Sequence, residues 1–175
     1  GVAVISSDIS DEELAELDQA GVRAVRFNFV KRLVDATPQE VFLGIADRIA
    51  KLGWHIVVYF EAPDLAELVP FLIKLPTTVV VDHMGRPDVT GGVDNPDFQR
   101  FIDLLSDYDN IWTKVSCPER LTVEGPAYDD VIPFGRKLVE SFPDRVLWGT
   151  DWPHPNMKSH VPDEGVLVDV IPRIA

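Results

Sequence analysis

Asp151 stands where the aliphatic run Val146-Leu147-Trp148 breaks into the loop Gly149-Thr150-Asp151-Trp152-Pro153-His154-Pro155. A carboxylate at such a strand end can act as a general base that takes a proton from water. The other reading is a turn or cap, but Pro153 follows two residues later and no helix starts there. His83 occupies the matching place after Val79-Val80-Val81-Asp82 and before Met84-Gly85. There it could polarise a carbonyl, steady an oxyanion or bind a metal; a structural histidine would only bond a loop carbonyl. Together the two residues fit base-activated attack of water.

Three arginines stand at comparable places. Arg26 ends one expected strand, Arg32 follows in its loop, and Arg120 lies in the loop after another strand. Taken singly, each reads as a surface ion pair. Taken together they point to a small polycarboxylate substrate, because guanidinium groups clamp carboxylates in bidentate fashion. Tyr59, which ends a third strand, could donate a hydrogen bond to substrate or pack at the mouth, and Glu61 beside it could pair with an arginine. His154, set between prolines, either shapes its loop or touches substrate. Arg86, Arg136, His55 and His160 carry less signal, and a Schiff-base role for Lys114 is conceivable but weak. His-x-His, His-Glu-x-x-His and Cys-x-x-Cys are absent, and one His with one Asp is too few ligands for a closed zinc site, so no metal or other cofactor is expected from the residues.

These residues need a scaffold that brings strand ends together. Aliphatic runs over Val2–Ser6, Arg23–Phe27, Trp54–Phe60, Thr77–Asp82, Ile111–Val115 and Arg145–Thr150 read as strands covered on both faces. Between them lie helices: one opened by the capping box Ser10-Asp11-Glu12-Glu13, one after Pro38, one from Pro63 through Leu75, then 95–108, 127–141 and 164–174. Such alternation predicts an α/β chain with a parallel sheet, either barrel or doubly wound. No Gly-rich dinucleotide fingerprint and no Walker loop is present. The longer loops follow strand C-termini, the functional side of a barrel. Six strands are two short of a closed (β/α)8 TIM barrel, so residues 1–175 are expected to form one domain that is a portion of such a barrel.

The chain has 175 residues and a net charge of −13. That balance argues against nucleic acid and against anionic membrane surfaces as partners. It does not argue against an anionic small molecule, because a local arginine cluster can reverse the field inside a pocket. The one cysteine, Cys117, allows no intrachain disulfide, and points to a reducing, cytoplasmic setting. No run approaches the roughly 18 apolar residues of a membrane span, and no signal peptide is visible. The chain opens with Gly1, and its native start is expected to lie elsewhere. The oligomeric state is left open.

VRFNFVKRLVD (25–35), VVVDHMGRP (79–87), VSCPERLT (115–122) and VLWGTDWPHP (146–155) together resemble the amidohydrolase superfamily, most of all its pyrone-dicarboxylate hydrolase branch. The resemblance runs from Gly1 to Ala175. It implies an amidohydrolase-type TIM barrel, of which this chain carries about strands three to eight. It also implies opening of the lactone ring of a pyrone dicarboxylate during breakdown of aromatic, lignin-derived compounds, without a metal. Asp151 then matches the water-activating base and His83 the group that polarises the lactone carbonyl. Arg26, Arg32, Arg120 and Tyr59 match residues that hold the substrate. Metal-dependent relatives carry a Lys or Glu and a His where Arg26 and Tyr59 stand here. The alternatives are a metal-dependent lactonase or decarboxylase holding zinc, and a non-catalytic carboxylate-binding fragment.

Overall fold

The computed structural model describes residues 1–33, 37–155, 157–158 and 161–175. Six parallel strands lie side by side in chain order: β1 (Val2–Ala3), β2 (Ala24–Asn28), β3 (His55–Tyr59), β4 (Val79–Val81), β5 (Ile111–Ser116) and β6 (Val146–Gly149). Each crossover moves one place in the same direction, the winding of a barrel. A doubly wound sheet would reverse its order partway. The sheet is thus an arc of an incomplete (β/α)8 barrel.

The strands alternate faces with period two. Val25, Phe27, Ile56, Val58, Val79, Val81, Ile111 and Val115 join the large core between sheet and helices. On the opposite face Ala24, Val57 and Val80 form a small second cluster with Trp112 packed on it. The next positions on that face are Arg26, Asn28, Tyr59, Asp82, Lys114 and Ser116. A thin apolar layer therefore floors the concave side, and the polar side chains stand on it at the strand C-termini.

The helices cover the outer face. α1 (Asp11–Gln19) starts with the expected capping box, in which Ser10 Oγ accepts from Glu13 N at 3.1 Å and Glu13 Oε2 accepts from Ser10 N at 2.8 Å. α2 (Gln39–Ala50), α3 (Leu65–Leu72) and α4 (Pro96–Asp107) follow, then α5 (Pro118–Leu121), α6 (Ile132–Ser141), α7 (Glu164–Val168) and α8 (Ile171–Ile174). No helix among the described residues is long and apolar enough to cross a membrane.

Several boundaries differ from the sequence expectation, for local reasons. The segment from Pro63 opens as a 3-10 turn and its α-helix ends at Leu72, where Lys74 and Leu75 donate to carbonyls three residues back. The final helix splits in two at Asp169–Val170, because Pro172, in the first turn of the second piece, has no N–H to give to the Val168 carbonyl. α6 begins at Ile132 because Tyr128 takes a left-handed conformation, φ 55°. α5 lies within a stretch expected as loop. His160 falls outside the described residues.

Gly85 has φ +69°, and a Cβ built there would lie 3.3 Å from the Phe101 ring. Both backbone and neighbour therefore select glycine. Gly85→Ala should destabilise the fold by about 1–2 kcal/mol, the ordinary left-handed penalty for a residue with a Cβ, read as a lower urea midpoint; an unchanged midpoint would refute the account.

Candidate active site

The strand ends converge on a cleft of about 400 Å³ lined by Arg26, Asn28, Arg32, Leu33, Tyr59, His83, Arg86, Arg120, Asp151 and Pro155. Six of the seven residues expected at the site (Arg26, Arg32, Tyr59, His83, Arg120 and Asp151) line this one space. A neighbouring hollow of about 350 Å³ shares Arg26 and Asn28 and is otherwise mostly apolar, with no expected catalytic group.

His83 follows β4 through a left-handed turn. His83, Met84, Gly85 and Arg86 all have φ between 52° and 69°. Residues with a Cβ occupy this region at a cost, and such strain gathers at functional sites. The turn brings both His83 and Arg86, three residues apart, to the cleft wall. His83 Nδ1 lies 2.9 Å from Ser116 Oγ, which fixes the ring. Its Nε2 lies 3.7 Å from Asp151 Oδ1, too far for a hydrogen bond. Burial holds the His83 imidazole below its ordinary pKa; Asp82 and Asp151 pull upward, while Arg26 and Lys114 add to the lowering. The ring is therefore neutral near pH 7 and has one N–H to offer.

Asp151 enters the cleft through another left-handed residue, φ 67°. Arg120 Nε donates to its Oδ2 at 3.1 Å, and the same guanidinium donates to Pro155 O at 2.6 Å. Carboxylate, imidazole and guanidinium thus meet at one point.

Asp82 organises the other side. Its side chain is 4% exposed and accepts from Arg26 Nε and Lys114 Nζ, each at 2.8 Å. Lys114 is thus an ion-pair partner of Asp82. Tyr59 lies under Arg26, whose guanidinium carbon is 4.8 Å from the ring centroid, and its ring meets His83 edge-on at 5.3 Å. Tyr59 OH accepts from Arg86 Nη1 at 2.7 Å. Arg32 Nε donates to Glu61 Oε1 at 3.0 Å, the pairing open to Glu61 from sequence.

His154 is the exception. It is 3% exposed and does not line the cleft. Its Nδ1 lies 3.2 Å from Glu119 Oε1 and its Nε2 lies 2.7 Å from Glu164 Oε1. The expectation of substrate contact is corrected: two carboxylates on α5 and α7 draw this ring behind Asp151, where it anchors the loop. Sequence reading also underrated Arg86, which pairs with no carboxylate among the described residues, and it missed Asp82 and Ser116 as organisers. The signal for Asp82 was the strand alternation that puts it on the face of Val80; Arg86 gave none, because its place depends on the left-handed turn through His83, Met84 and Gly85.

His83, Cys117 and Asp151 present donor atoms within 4.8 Å of one another, as do Glu119, Asp151 and His154. Among the described residues Arg120 Nε already donates to Asp151 Oδ2, and burial, with Glu119 and Asp151 nearby, pushes the Cys117 thiol up.

The amidohydrolase family profile matches residues 1–173. A 2-pyrone-4,6-dicarboxylate hydrolase of Comamonas testosteroni is 63% identical over 183 aligned positions, covering 100% of this chain and 60% of that protein. Among solved structures, a candidate 2-pyrone-4,6-dicarboxylic acid hydrolase of Pseudomonas putida superposes with a TM-score of 0.82 at 29% identity, covering 99% of this chain and 64% of that one. A second candidate of that activity, from Acinetobacter baumannii with citric acid bound, gives 0.78 at 28% identity, covering 99% and 65%. The chain belongs to the amidohydrolase family, and it spans 60% of the length of the curated relative from Comamonas.

Because the folded state disfavours His83 protonation, the unfolded chain binds more protons as pH falls through the ordinary histidine range. Stability should therefore be highest above that range and fall between pH 7 and pH 5. Burial lowers His55 as well, so His83→Asn should reduce this slope in urea unfolding without abolishing it; an identical slope in the variant would remove His83 as a source.

Proposed function

We propose that the protein of which this chain forms all or part opens the lactone ring of a pyrone dicarboxylate such as 2-pyrone-4,6-dicarboxylate. The observation that carries the proposal is the meeting of Asp151 and His83 in a cleft walled by four arginines. The Comamonas relative, by its name, acts on that compound, and the Acinetobacter structure holds a tricarboxylate.

The arginines orient the substrate and offset its charge. Arg86 is the best placed to take a substrate carboxylate, since its guanidinium is committed only to the Tyr59 hydroxyl among the described residues. Arg26 gives Nε to Asp82 and keeps its terminal nitrogens for the cleft. Asp151 takes a proton from water as the oxygen attacks the lactone carbonyl, and His83 donates its N–H to the developing oxyanion. The tetrahedral species collapses with cleavage of the ring C–O bond. Asp151 returns its proton to the leaving enolate oxygen, and the enol relaxes to the oxo acid.

The reading needs no metal and sets the protein in the cytoplasm, in the breakdown of aromatic compounds. Its partner is a small polycarboxylate, and nucleic acid and membrane have no part. The acidic surface (net charge −13) and the single thiol agree with this.

Loss of pyrone absorbance on mixing 2-pyrone-4,6-dicarboxylate with the purified protein in excess chelator tests the proposal. Rapid loss is expected. Activity only after zinc is added would reassign the protein to metal-dependent chemistry, and no loss in either case would reject this substrate. Asp151→Asn should lower kcat by at least about a hundredfold, the lower bound for a general base; near-normal turnover would end its assignment. Arg86→Met should raise KM with a smaller change in kcat, and unchanged values of both would remove it from the substrate site.

A further inference from the structure

The geometry points to Cys117 as a positioning residue for Asp151: its S–H donates to the carboxylate on the side away from His83. The inference rests on the reading of Asp151 as the base. Cys117 follows β5 in a left-handed conformation, φ 67°. That conformation lets two consecutive residues serve the site, with Ser116 Oγ on the His83 ring and Cys117 Sγ 3.4 Å from Asp151 Oδ2.

The thiol is 1% exposed, and it faces Asp151, Glu119 and Arg120. Glu119 Oε1 is also 3.4 Å from the sulfur, so one thiol proton faces two carboxylates. Glu119 Oε1 also lies 3.2 Å from His154 Nδ1, and Asp151 Oδ2 takes Arg120 Nε, so each acceptor has one other polar neighbour; the S–H is assigned to Asp151 Oδ2, the carboxylate that lines the cleft. Asp151 Oδ2 then has two donors, Arg120 Nε and Cys117 Sγ, while Oδ1, on the His83 side, is left for water.

A nucleophilic role does not fit, because a buried thiol flanked by two carboxylates keeps its proton. A packing role would ask only for a small apolar group. A donor role asks for the S–H itself.

Cys117 is the one cysteine of residues 1–175, and the difference spectrum between the parent and Cys117→Ala isolates its S–H stretching band in the infrared. This readout needs no substrate, so its failure and the failure of the lactone reading are told apart. In Glu119→Gln the band is expected to keep its position, and in Glu119→Gln combined with Asp151→Asn it should move to higher frequency as the last anionic acceptor goes. A band that moves in Glu119→Gln alone would place the thiol proton on Glu119 and overturn the inference. In turnover, Cys117→Ala should lower kcat about threefold to tenfold, the range of one modest hydrogen bond, with KM within about twofold of the parent by the same argument. Cys117→Ser should recover most of the loss. An unchanged kcat in Cys117→Ala, or no recovery in Cys117→Ser, would also overturn it.

Discussion

The Asp82 carboxylate, nearly closed to solvent, joins three strands through two cations, and the cleft depends on that junction. It follows β4, Arg26 comes from β2 and Lys114 from β5. Taking a carboxylate out of water is costly unless its oxygens are well partnered. Here each oxygen takes one charged donor. The arrangement consumes Nε of Arg26 and so turns the rest of that guanidinium toward the open side. It leaves one positive charge in excess at the floor of the site. Its value lies as much in orientation as in stability.

Directly after Asp82 the chain does something unfavourable, four residues in a left-handed conformation. The core supplies the compensation. Val79, Val81 and Met84 are buried in the main cluster, and Gly85 sits against Phe101. The gain is geometric, because a strand exit of this kind delivers His83 and Arg86 to the same cleft. Similar single left-handed residues at Cys117 and Asp151 turn the exits of β5 and β6. The cleft is thus assembled at left-handed backbone positions that follow the strands.

Electrostatically the molecule works against its own composition. A chain with net charge −13 gathers four arginines in one cleft. Three of them are partly neutralised there: Arg26 by Asp82, Arg32 by Glu61, and Arg120 by Asp151. Arg86 stands apart, held by a neutral phenol. Such a cleft can attract a multiply charged anion without the cost of leaving every guanidinium unpaired while empty.

Much of this was legible in the sequence. Continuous aliphatic strands alternating with helices set the parallel α/β class, and strand-end positions marked Asp151, His83, Arg26, Tyr59 and Arg120 as neighbours in space. The choice of barrel winding over a doubly wound sheet needed strand order, which periodicity does not encode. His154 shows the limit most sharply: its place between two prolines gave no hint of the two carboxylates that draw it behind the site. Arg86 was undervalued because a residue three beyond a strand-end histidine reaches the cleft only if the backbone turns left-handed. Residue type and spacing fixed which groups lie at the C-terminal end of the sheet, since side-chain alternation is local. Which of them face each other across the cleft, which carboxylate quenches which arginine, and which stay free were decided by tertiary structure, because those contacts join residues 29 to 56 positions apart in the chain.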